Sequence, residues 1–191
     1  MPYDPSKHHR RSIRLKGFDY SQRGAYFVTI CVQQREFLFG DIVGGTMNAN
    51  EAGHMVETWW LELNQKFPNT RTDEYVVMPN HFHGIITLVG ADLCVCPTPR
   101  QEHEITGNPV DLPGSKDEGP AGALGAHSAA VPTIVQWFKT MTTNAYIRAV
   151  KQDRWPAFPG RLWQRNYYEH IIRDQESLNQ IREYISLNPL Q

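Results

Sequence analysis

The sequence predicts one domain that mixes strands with helices. Short runs rich in β-branched and aromatic residues, such as Gly24 to Val32 (GAYFVTICV), are bounded by turn signals. Two longer stretches repeat apolar residues at helical spacing behind capping residues. The length of 191 residues suits a single domain with a core of its own.

The first strand is expected over 24–32, with Cys31 as a small core residue, and a second around Phe37 to Val43, the two forming a hairpin. Asn50 is placed to cap a helix running to about Lys66. Ala52, Val56, Trp59, Trp60 and Leu63 mark its apolar face, and Pro68 stops it. Glu74 to Met78 and His83 to Val89 read as two further strands, joined around the Pro79-Asn80 turn signal. From about Cys94 to Val131 the chain mixes Pro, Gly, Ala and Ser without hydrophobic period, and it reads as a long flexible acidic insertion. Pro132 then opens a helix from Thr133 to about Lys151, with Ile134, Val135, Phe138, Met141, Ala145 and Ile147 as its apolar face. Trp155 to Gly160 is a loop, and Leu162 to Ile172 (LWQRNYYEHII) is expected to be a strand. Asp174 caps a last helix that ends near Leu187, with Leu178, Ile181 and Ile185 as its core stripe.

Composition narrows the function. No apolar run is long enough for a membrane span, and no apolar segment follows the basic N-terminus. A cytoplasmic location is therefore the expectation. Three cysteines make no disulfide framework, and Cys94-x-Cys96 lacks the second pair that a structural zinc site requires. The net charge of −1 is low for a nucleic-acid protein, but its distribution is uneven. Residues 1–17 carry Lys7, Arg10, Arg11, Arg14 and Lys16 against Asp4 alone, an arm suited to phosphate contacts and equally to a solvated tail. Glu102, Glu104, Asp111, Asp117 and Glu118 concentrate in the insertion, so the remainder is mildly basic.

The run MPNHFHGII (78–86) carries the most chemistry. Side chains alternate along a strand, so His81 and His83 share one face while Phe82 points to the other. Two imidazoles on one face, with a third ligand, can hold a divalent metal; the same tripeptide also fits two half-exposed histidines beside a turn. On the last helix Tyr184 and Asn188 are four residues apart and project from one side. Taken together, His81, His83 and an oxygen of Asn188 suit Mg²⁺ or Mn²⁺ with positions open to a phosphate oxygen. Tyr184 would then be close enough to attack phosphorus. A free phenol, with a pKa of about 10, is a weak nucleophile at neutral pH, so the metal would have to assist it.

The runs MPNHFHGII, WQRNYYEHIIRD and SLNQIREYISLNP jointly resemble the single-tyrosine HUH transposases, and most of all their REP-associated tyrosine transposase (RAYT) branch. The likeness spans nearly the whole chain: the basic start, the YFVTICVQQR strand, the His pair, the FKT helix and the tyrosine helix. It implies a ferredoxin-like α+β sandwich, an antiparallel sheet with helices packed on one face. It implies Tyr184 as nucleophile, His81 and His83 as metal ligands, and Asn188, which is Gln in some relatives, as the polar ligand. Arg165 joins the basic arm as an implied DNA contact, and His170 is a support or DNA contact with core packing as the equal alternative. The implied reaction cleaves and rejoins single-stranded DNA beside palindromic repeat hairpins, through a 5′-phosphotyrosine and a free 3′-OH. That linkage conserves the phosphodiester energy, in keeping with a sequence that has no Gly-rich phosphate loop. Two other readings stand beside it: a domesticated or truncated protein that binds palindromic DNA without cutting, and a His-based hydrolase of small phosphate esters. Both monomers and dimers that exchange tyrosine helices fit the resemblance.

Overall fold

The computed structural model describes residue 15 and residues 17–90 and 129–190, the last without its side chain. Lys7, Arg10, Arg11, Arg14, Lys16, Cys94, Cys96 and nearly all of the expected insertion lie outside these residues.

Strand β1 (Gly24–Cys31) is followed by a small hairpin, β2 (Gly40–Val43) and β3 (Thr46–Ala49). Helices α1 (Glu51–Leu61) and α2 (Leu63–Lys66) come next, then strands β4 (Thr70–Met78) and β5 (His81–Leu88). Helix α3 (Val131–Val150), strand β6 (Tyr168–Ile172) and helix α4 (Gln175–Leu187) complete the order, with a terminal 3-10 turn over Asn188–Leu190. The main sheet is antiparallel in the order β4-β5-β1-β6. With the β2–β3 hairpin set aside, the chain runs β-α-β-β-α-β and its first and last strands lie side by side, the ferredoxin-like arrangement expected.

Alternation along the strands divides the core in two. Val28, Ile30, Val77, Phe82 and Ile86 face α1 and α3, where the Phe82 ring lies 4.6 Å from Trp60 and 5.3 Å from Phe138. This is the main core, covered by helices on one face. Ala25, Phe27, Val76, Ile85 and Ile172 face the other way, and α4 packs there through Leu178, Ile181 and Ile185. The tyrosine helix is thus an addition to the ferredoxin-like unit, laid on its otherwise open face.

Local chemistry explains most boundaries. Asn50 caps α1 by accepting from the Gly53 N–H at 3.0 Å, and Asp174 caps α4 by accepting from the Ser177 N–H at 2.7 Å. Three expectations are corrected. The second strand does not pair with β1; it pairs with β3 across Gly44-Gly45, whose φ values of 59° and 77° make the two-residue turn that hairpins favour. The predicted strand over 162–172 is strand only from Tyr168, with a single bridge from Trp163 to Val32 before it. The buried stripe of α3 runs through Val135, Phe138, Thr142, Tyr146 and Ala149, and Ile147 is exposed. Thr142 tolerates burial because its hydroxyl donates to the Phe138 carbonyl and accepts from the Trp163 indole N–H at 2.8 Å.

Gly84, directly after the His pair, faces the main core. A Cβ there would lie 2.5 Å from Trp60 Cζ2 and 2.9 Å from Phe82 Cε1, both fully buried rings with no room to retreat. Gly84→Ala should therefore lower stability by roughly 2 kcal/mol through overpacking, read as a lower urea midpoint with an unchanged slope.

Candidate active site

The open face of the sheet is where the chemistry gathers. Register places His83 of β5 opposite Thr29 of β1, and Thr29 opposite Tyr168 of β6, so these three side chains form one row across that face. His81 lies one step along, opposite Cys31. The two imidazoles sit 4.6 Å apart, centroid to centroid, with their planes 82° apart.

Each imidazole is held by its Nδ1. His81 Nδ1–H donates to Asn80 Oδ1 at 2.7 Å, and His83 Nδ1 is 2.8 Å from the Thr29 hydroxyl. With Nδ1 engaged in both rings, Nε2 is the atom each could offer to a metal, an arrangement that outer hydrogen bonds give metal-binding histidines. Burial drives the His81 pKa down to about 4, with the Arg35 charge adding to the effect. It drives His83, 5% exposed, down to about 3, with His81 and Arg35 acting in the same direction. Both rings are therefore neutral at pH 7, as ligands must be.

Helix α4 brings Tyr184 to this pair. Its ring is 5.5 Å from His83 and 6.1 Å from Phe27, edge-on to both, while Phe27 stacks on His83 at 5.3 Å. Tyr184 is 39% exposed, so the ring beside the His pair is open to solvent. Asn188, one turn further on, ends α4 and is 7% exposed. Among the described residues no group of three or more His, Cys, Asp and Glu could hold a metal. Two neutral imidazoles on one face fit part of the shell of a divalent ion, and Asn188, at the end of α4, remains the candidate oxygen donor that the resemblance supplies.

Two ties dock α4. Ile185 is buried against Ile85 and Ile172, and Arg182 grips Asp73 of β4 with two bonds of 2.9 and 2.6 Å. Asp73 occupies the irregularity in the β4–β5 ladder between Thr72 and Tyr75. The Arg182 hydrogen bond holds its carboxyl below the ordinary value. A depressed carboxyl pKa stabilises the fold above about pH 4 and loses that contribution as pH falls through the folded value. Asp73→Asn should accordingly cost about 1 kcal/mol at pH 7, given the pair's partial exposure, and progressively less as the pH falls below about 4. Urea unfolding across this pH range checks this.

The other expected contacts divide. His170 is exposed, which removes the core-packing alternative; it lies opposite Phe27, on the same face as the His pair. Arg165 is exposed and lines a separate cavity beside α3. Sequence reasoning missed Thr29, the Asp73–Arg182 tie and Arg35, and it matched Tyr168, 63% exposed, to a family run without giving it a role. Arg35 follows Gln34 in a turn where both residues have positive φ, 58° and 60°. Only a predicted register between β1, β5 and β6 would have singled out Thr29 and set Tyr168 in its row.

Comparison with known proteins adds three findings. No family model matches the chain. An uncharacterized protein of Haemophilus influenzae is 39% identical over 191 residues, covering 98% of this chain and 92% of its own. A REP-associated tyrosine transposase solved with a REP hairpin bound superposes with a TM-score of 0.53 at 16% identity, over 95% of this chain and 73% of that one. At that identity the likeness is one of fold. Among the described residues no helix is long and apolar enough to cross a membrane.

Proposed function

The chain belongs to the same family as the Haemophilus influenzae protein, and on that footing we propose that it is a DNA strand transferase of the tyrosine-transposase kind. It would cleave and rejoin single-stranded DNA beside palindromic hairpins through a 5′-phosphotyrosine. The observation that carries this reading is the Tyr184 ring edge-on to His83, beside a second neutral imidazole. The transposase that shares the fold is bound to a REP hairpin, which supports a hairpin-bearing DNA substrate.

The residues divide the work. His81, His83 and Asn188 would hold Mg²⁺ or Mn²⁺. When bound, that ion supplies Lewis-acid polarisation of the scissile phosphate. Thr29 and Asn80 fix the orientation of the imidazoles, so the ligating atoms need no rearrangement. The Tyr184 phenol oxygen would bond to phosphorus and give its proton to solvent. The bond from phosphorus to the 3′ oxygen would break, with that oxygen taking a proton from solvent to leave as the 3′-OH, and the strand's 5′ phosphate would remain on the tyrosine. Rejoining is the reverse: a 3′-OH attacks the phosphotyrosine and the phenol leaves. His170 and the basic arm, Lys7, Arg10, Arg11, Arg14 and Lys16, would contact the backbone. Tyr168, exposed in the same row as His83, is placed to stack on an unpaired base.

Incubation of the chain with a labelled single strand carrying a hairpin should, with Mg²⁺ or Mn²⁺, give a covalent adduct that survives denaturing gel electrophoresis. Peptide mapping should place it on Tyr184. Chelation by EDTA should abolish the adduct and leave hairpin binding. Tight, salt-sensitive hairpin binding with no adduct under any divalent metal would instead support the non-cleaving reading.

A further inference from the structure

We propose that the cavity between α3 and residues 160–165 is a second DNA site, taking one unpaired nucleotide by its phosphate and base edge. The inference rests on the DNA reading above and extends the implied Arg165 contact to a defined cavity. The cavity is about 330 Å³ and is lined by Lys139, Arg161 and Arg165 together with Gln136, Thr143 and Gln164. Among the described residues no carboxylate lines it, although the chain as a whole has one more acid than base.

Its chemistry is that of an anion site with a polar wall. Lys139 Nζ donates to the Gln164 and Arg165 carbonyls at 2.6 and 3.2 Å and has no carboxylate partner among the described residues. The ammonium is half-buried; burial and the neighbouring Arg161 bring its pKa down to about 8. Three cations that meet no carboxylate among the described residues lining the cavity repel one another, and an entering phosphate relieves that repulsion. The carboxamides and hydroxyls beside them offer donors and acceptors matched to a base edge rather than to a bare anion.

Location favours a strand that also reaches the His pair. The Gln164 N–H donates to the Cys31 carbonyl at 2.8 Å and its side chain to the Val32 carbonyl at 3.3 Å. Cys31 is the register partner of His81. The cavity wall is therefore hydrogen-bonded to the end of β1 whose register partner is His81, which sets the cavity along the route of a DNA strand leaving that end of the sheet.

The test uses the full chain and two fluorescent probes, a hairpin with a single-stranded flank and the same hairpin cut flush. Arg161→Ala and, separately, the charge-inserting Gln136→Glu should each weaken binding of the flanked probe about tenfold or more and lower its salt slope by about one. Flush-hairpin binding should not change. Both substitutions are at exposed positions, and melting curves confirm folding. Parental affinity for both probes in both variants, or equal loss on the two, overturns the proposal. A dinucleotide should displace the flank at least tenfold better than inorganic phosphate; equal displacement marks a small-anion site and overturns the nucleotide assignment. If the parent forms a covalent adduct while the variants keep full flank preference, the cavity assignment fails alone. If the variants lose flank preference while the parent forms no adduct, the strand-transferase reading fails and the cavity stands.

Discussion

Tyr184→Phe is expected to eliminate covalent attachment to DNA, with cleavage falling by at least roughly 10³-fold. The reason for expecting so clean an effect is structural. The Tyr184 hydroxyl makes no hydrogen bond among the described residues, so removing it leaves no buried partner stranded. The ring contacts with His83 and Phe27 are edge contacts that phenylalanine retains. Helix α4 stays docked by Ile185 and by the Arg182–Asp73 pair, neither of which touches the deleted atom. Stability and DNA affinity should therefore match the parent, and any loss is chemical. Denaturing gels, quench-flow cleavage rates and anisotropy titrations read the three quantities separately. A Phe variant that cuts at the parental rate would identify water as the nucleophile and favour a metal-dependent hydrolase.

Much of this arrangement was legible in the sequence because it depends on short-range rules. Alternation alone put His81 and His83 on one face and Phe82 on the other, and the packing of Phe82 on Trp60 bears that out. Asn50 and Asp174 announced their helices, since a cap is a local hydrogen bond. The elements misjudged were those settled by distant partners. Gly44-Gly45 carried a hairpin signal, but the apolar residues before it drew the second strand toward β1. The turn shows that β2 folds back on β3 instead. Leu162 and Trp163 read as strand because they are apolar, yet they are buried against α3 and α1-side residues rather than paired in a ladder. The α4 docking face was half visible: Leu178, Ile181 and Ile185 gave the stripe, but not that it would lie on the sheet face bearing the histidines. Thr29, one of the residues that orients the site, has no local signature at all. Its role comes from standing opposite His83 fifty-four residues away.

The second large effect is expected at His83. His83→Ala removes one ligand, strands the Thr29 hydroxyl and takes away the surface on which Phe27 stacks and Tyr184 leans. Adduct formation should fall by at least about 10³-fold, and Mn²⁺ affinity measured calorimetrically should fall to the level of non-specific binding. Thr29→Val keeps the ring and loses only its orienting bond, so metal affinity should drop by about 10- to 100-fold. The depressed pKa values sharpen the test. Protons compete with a metal for imidazole only near the ring's own pKa, here about 4 and about 3. Mn²⁺ affinity should therefore stay nearly flat from pH 8 to about 5.5, where an exposed His pair, with pKa about 6.5, would already lose tenfold per imidazole per unit. The metal-free protein shows the other side of the same linkage. The unfolded chain takes up these protons from about pH 6.5 downward while the folded chain resists, so stability falls as the pH drops from 6.5 toward 4. The slope of that loss should shrink when both histidines are replaced by glutamine, which keeps polar volume without a titrating group. A parent whose Mn²⁺ affinity collapses below pH 6.5 would mean the imidazoles stand in water, and the closed, α4-covered site would have to be abandoned.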